Sequence, residues 1–105
     1  MAVSDADQQR IVELLLADLH ATIGSGHDQL VLQNASRLRE FIDEPGQYIE
    51  RVVEGTQQDI HDLFIDTTWP QCPRHHRHPL WLHAGSWWCE KDGIRVATVG
   101  GLRRC

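Results

Sequence analysis

The chain has no apolar run of the roughly 18 residues that a membrane-spanning helix needs, which excludes a span. Cysteine is scarce, with three residues, all after position 71, too few for the disulfide framework of a small secreted scaffold. The start, Met1-Ala2-Val3-Ser4-Asp5, lacks the basic stretch and apolar block of a signal peptide, and the expected location is the cytoplasm. Lysine is missing from residues 1–66, where four Arg stand against thirteen Asp and Glu. There is no H-E-x-x-H pair, no nucleophile elbow and no phosphate-binding glycine loop, so no enzyme class is indicated. Internal repeats, low-complexity tracts and long heptad runs are also absent.

What is present is unevenly divided. Residues 1–66 carry a net charge of −9, whereas residues 67–105, with six basic and two acidic side chains, carry +4. The second part also holds all four Trp (Trp69, Trp81, Trp87, Trp88), all three Cys and four of the seven His. This asymmetry divides the chain into an acidic helical region, 1–66, and a β module, 67–105. Apolar residues make up 41% of 105, a modest core that a chain this small commonly supplements with a staple.

In the first region Ser4 and Asp5 are candidate N-caps. Ile11, Leu14, Leu15, Leu19 and Ile23 then recur at helical spacing up to Gly24-Ser25-Gly26. A second helix starts near Asp28 and turns Leu30, Val31, Ala35, Leu38, Phe41 and Ile42 inward, until Asp43-Glu44-Pro45-Gly46 breaks it. Ile49, Val52, Val53, Thr56, Ile60, Leu63 and Phe64 keep one helical face through Gly55. A strand at 48–53 followed by a helix from Thr56 competes with a single third helix.

From Trp69 the pattern changes. Pro70 and Pro73 flank Gln71-Cys72 and exclude helix. Strands are expected at Leu80–His83 and Ser86–Cys89 around Ala84-Gly85, then at Ile94–Val99 after the Lys91-Asp92-Gly93 turn. The fold class is therefore α+β, with two or three antiparallel helices and a three-stranded, zinc-ribbon-like meander.

Cys72-Pro73-Arg74-His75 places two metal donors three residues apart on a proline-stiffened turn, a spacing suited to one tetrahedral ion. Cys89 follows 17 residues after Cys72, where a strand meets a Gly-containing turn, the position of a second knuckle. If Ala84-Gly85 is the hairpin turn, His83 opposes Ser86 and lies roughly 10 Å from the metal end at strand rise, too far to ligate. For the fourth ligand the order is His78, Asp92, His76. Thiolate with imidazole suits zinc, and four protein ligands make the site structural. A Cys72–Cys89 disulfide would require an oxidising compartment. Cys105 is left without a role, and His20, His27 and His61 are expected at the surface or at helix ends.

The segment Trp69-Pro70-x-Cys72-Pro73-x-His75-x-x-His78-Pro79-Leu80, followed by Trp88-Cys89, Gly93 and Val96-Ala97-x-Val99-Gly100-x-Leu102, resembles a group of uncharacterised small bacterial proteins. In these a W-P-x-C-P-x-H-x-x-H-P-L segment precedes a W-C hairpin; the module is also similar to zinc ribbons in general. The resemblance covers about the last 35 residues and implies Cys72, His75, His78 and Cys89 as ligands of a structural zinc. The ribbon's usual second cysteine in the second knuckle is missing.

The expected function is that of a small non-enzymatic zinc-binding protein, a protein-interaction adaptor with Trp beside Arg as interface anchors. Nucleic-acid binding by the basic, Trp-bearing module is the alternative, and a hydrolytic zinc site using Glu90 or Asp92 comes third. The apolar helix stripe leaves self-association open.

Overall fold

A computed structural model describes residues 3–73 and 77–102. Helix α1 runs Asp5–Thr22, α2 Asp28–Arg39 and α3 Pro45–Asp62. Strands β1 (Trp81–His83), β2 (Ser86–Cys89) and β3 (Ile94–Thr98) follow in one antiparallel sheet of order β1-β2-β3. The α+β class read from the sequence is the class found.

Local chemistry sets the helix starts. The Ser4 hydroxyl accepts from the Asp7 amide at 3.1 Å while the Asp7 carboxylate accepts from the Ser4 amide at 3.0 Å, a reciprocal cap. Glu44 caps α3 by accepting from the Gly46 and Gln47 amides, with Pro45 at the first helical position, where no amide is needed. The Gln47 and Gly46 amides, donating to the charged form, hold the Glu44 carboxyl below its usual value.

The third segment is one continuous helix, and no strand forms at 48–53. Tyr48, whose hydroxyl donates to the Ala35 carbonyl at 2.7 Å, is fully buried between α2 and α3. Gly55 is needed for close approach rather than for a break. A Cβ at this position would overlap the Asn34 carboxamide oxygen. Asn34 is itself fixed: its amide nitrogen donates to the Leu30 carbonyl (2.8 Å) and to Asp59 (2.9 Å), and its oxygen accepts from Arg37 (2.9 Å). Gly→Ala inside a helix ordinarily stabilises by roughly 1 kcal/mol. Here Gly55→Ala is expected to destabilise instead, by about 1–3 kcal/mol through overpacking, which thermal denaturation will measure as a lowered Tm.

Three apolar side chains expected to point inward do not. Phe41, Leu63 and Phe64 are 74%, 60% and 84% exposed. Helix α2 stops at Arg39 and α3 at Asp62, so the 3.6-residue repeat that would turn them inward has already ended. At Phe64 the chain leaves the helix with φ +57°, and Ile65 donates back to the Ile60 carbonyl.

The β1–β2 register pairs Trp81 with Trp88 and His83 with Ser86, as the placement of the turn requires. Ala84 (φ 51°) and Gly85 (φ 77°) both adopt left-handed backbone, the requirement of a tight two-residue hairpin. Trp87 and Trp88 face opposite sides of the sheet. Trp87 is fully buried and meets Trp69 edge-to-face at 5.7 Å. The indole of Trp69 donates to Thr22 on α1 (2.9 Å) and that of Trp87 to Asp18 (2.9 Å). One apolar cluster thus includes Leu15 and Leu19 from α1, Val52 and Ile60 from α3, and Trp69, Leu82 and Trp87 from the β part.

Candidate metal centre

Helix α3 holds the segment that carries the first knuckle. Gln57 donates to the Trp69 carbonyl (3.2 Å) and the Leu80 carbonyl (3.0 Å), bracketing residues 69–80 from one side chain. His61 Nε2 lies 2.6 Å from the same Trp69 oxygen and, facing a carbonyl, must carry the proton. Within the bracket the chain folds back on itself. Leu80 donates to Pro70 (2.6 Å), Gln71 bridges to Pro79, and the Cys72 amide donates to the His78 carbonyl at 3.2 Å. Cys72 and His78 are therefore backbone neighbours across a narrow loop.

Cys89 ends β2 and begins the second turn. Gly93 donates to the Cys89 carbonyl (2.8 Å), and the Asp92 amide points at the Cys89 sulfur, N to Sγ 3.4 Å. The turn thus supplies the Cys89 sulfur with a backbone donor three residues on. Both cysteines are free thiols and almost wholly buried. They open on one cleft of about 380 Å³, lined by Cys72, His78, Pro79, Cys89, Glu90 and Lys91.

Of the four ligands expected from sequence, Cys72, Cys89 and His78 thus share one cleft, His78 at its exposed side. His75, and His76 among the alternatives, lie outside the described residues. Asp92 contributes its backbone amide to Cys89. Among the described residues, no three side chains of His, Cys, Asp or Glu are grouped closely enough to hold a metal. The donor types that line the cleft, two buried sulfurs and an imidazole, are ones that zinc takes. His83, set aside as a ligand, stacks on Trp81 at 5.5 Å.

The sequence reading missed the polar group that holds this end of the molecule to the helices. Asp18 is completely buried. Its Oδ2 accepts from the Trp87 indole (2.9 Å) and the Gly100 amide (2.8 Å), its Oδ1 from the Leu102 amide (2.9 Å). Burial pushes its carboxyl above the usual value of 3.8, while the Gly100, Trp87 and Leu102 donors pull the other way. The signal was present: Asp18 lies three residues after Leu15 and seven after Ile11, inside the apolar stripe of α1.

These features define an α+β protein in which a buried thiol pair belongs to a β part anchored on α1 and α3. No family model, curated protein or solved structure matches the chain. Among the described residues no helix is long and apolar enough to cross a membrane.

Proposed function

We propose that this is a small, non-enzymatic zinc-binding protein whose metal is structural and whose surface serves as an adaptor for a protein partner. The observation that carries the reading is the pair of free, buried thiols of Cys72 and Cys89 opening on one cleft, with the Asp92 amide aimed at the second sulfur. Buried cysteines alone are ordinary small apolar residues. The directed amide and the His78 imidazole at the same cleft favour a metal site over simple packing. His75, three residues after Cys72, supplies the remaining donor in this reading, and the ion is closed to solvent by four protein ligands.

The adaptor part rests on exposed apolar groups that the fold does not use. Phe41, Leu63 and Phe64 stand out from the ends of α2 and α3, where side chains of this kind act as interface anchors.

Cobalt substitution tests the centre. Replacing the native metal with Co²⁺ is expected to give the strong visible bands of tetrahedral cobalt and a near-ultraviolet thiolate-to-cobalt band sized for two sulfurs. Weak, octahedral-type bands without thiolate absorption would reject the site.

A further inference from the structure

The outward face of the sheet carries a second, chemically different surface. Trp81 on β1 is the cross-strand partner of Trp88 on β2, and Trp88 is in turn the partner of Arg95 on β3. The three form one row across the sheet. His83, two residues from Trp81 on the same face, stacks on the Trp81 indole at 5.5 Å and 21° and meets Trp88 edge-on at 6.2 Å and 73°. The Trp88 indole is held by donating to the His83 carbonyl at 3.2 Å. The rings are thus fixed against one another before any ligand arrives.

The core does not need this arrangement. Trp69 and Trp87 fill the interior, while Trp81 is left 54% exposed and Arg95 is exposed at the end of the row. A ligand for this face must offer flat π surface and negative charge together. Bases stack on Trp and His in a sequence-tolerant way, and Arg pairs with phosphate. The half of the chain that bears the row carries +4. The acidic helices lie behind the sheet, on the side of Leu82 and Trp87, a layer spacing comparable with the Debye length of about 10 Å at 0.1 M salt. Their field is therefore attenuated at the outward face. Duplex bases are already stacked on one another, so the match is to a single strand.

We propose that the row Trp81–Trp88–Arg95, with His83 stacked on Trp81, is a binding platform for single-stranded nucleic acid. This goes beyond the adaptor reading and gives the protein a second partner on a separate face.

The test uses the full chain, fluorescein-labelled oligo(dT) and oligo(rU), and fluorescence anisotropy at low salt. Binding is expected to quench tryptophan emission and to resist competition by duplex DNA. Trp81→Ala is expected to weaken it about tenfold or more, the scale of one lost base stack. Arg95→Gln is expected to lower the slope of log K against log salt by about 0.7, the value for one phosphate contact on a single strand. Circular dichroism and zinc content of both variants should match the wild type, since both side chains are exposed. No binding at about 50 mM salt, a condition that favours phosphate contacts, would overturn the proposal, as would binding indifferent to both substitutions. Binding of an acidic peptide at Trp81 with no oligonucleotide bound would assign the face to a protein and also overturn it. Zinc measured on the same samples separates the outcomes: failure here with one zinc present leaves the metal centre standing.

Discussion

Cys89→Ser is expected to abolish zinc binding and to disorder the sheet while leaving much of the helical signal in place. Structural zinc contributes about 10–16 kcal/mol of apparent binding free energy, much of it as folding free energy. Single domains have only about 5–15 kcal/mol of net stability. Strands of three, four and five residues cannot stand without support from elsewhere. Helices α1 to α3 have contacts of their own, including Tyr48 to Ala35, Asn34 to Asp59 and His20 to Asp28. Every Trp lies at or beyond residue 69. Near-ultraviolet dichroism therefore reports mainly on the β part, and far-ultraviolet dichroism mainly on the helices. The first should collapse and the second persist in part. Cys72→Ser should behave alike, and Cys105→Ser should keep the metal. His78→Ala should lose zinc where Asp92→Ala retains it, because Asp92 reaches Cys89 through its backbone amide. If the thiols were only packed apolar groups, Cys→Ser would cost about 1–3 kcal/mol, the price of one buried hydroxyl, with no change in metal content.

The second large effect belongs to Asp18. Its two oxygens face only donors, the Trp87 indole and the Gly100 and Leu102 amides. Asp18→Asn keeps the shape but turns one oxygen into an NH₂ group that confronts a donor. At least one buried N–H then loses its acceptor, and a charge-assisted set becomes neutral. The expected loss is about 2–4 kcal/mol, a fall in Tm of roughly 10–20 °C for a domain of this size. Trp87 emission should change with it. The pH dependence has a definite sign. Burial raises the folded-state pKa of Asp18 above the usual 3.8, so the folded state holds that proton more tightly than the unfolded chain does. The contribution of Asp18 is therefore largest below the unfolded value and declines as pH rises through the folded one. Asn has no such proton. The stability gap between wild type and Asp18→Asn should widen as pH falls from neutral and level off near 3.8. Terms shared by both proteins, including protonation of metal ligands, cancel in the difference. A gap that narrows in acid would contradict the assignment.

The helices were legible because each carries an apolar stripe bounded by a cap or a breaker, from Ser4 at one end to Pro45-Gly46 at the other. The hairpin was legible because the two-residue spacer Ala84-Gly85 fixes register, and register fixes which of Trp87 and Trp88 goes inside. Periodicity could not say where a helix stops, which is why Phe41, Leu63 and Phe64 were turned the wrong way. Nor could propensity distinguish a Gly that breaks a helix from one that lets Asn34 approach, as at Gly55. The long-range polar contacts, Asp18 to Trp87 and Gln57 to Trp69 and Leu80, join residues 12 to 69 positions apart. No local pattern encodes such partners. At the centre, the donor types and the two turns could be read from Cys72, Cys89 and Gly93. The contact of the Asp92 amide with the Cys89 sulfur emerged only from the backbone path.

Native mass spectrometry of the freshly purified chain, set beside the same sample unfolded in acid, measures the central claim most directly. A mass difference of one zinc, lost together with the near-ultraviolet tryptophan signal on chelation, is the predicted result. A metal-free protein whose tryptophan signal is already native, and is untouched by chelator, would contradict it.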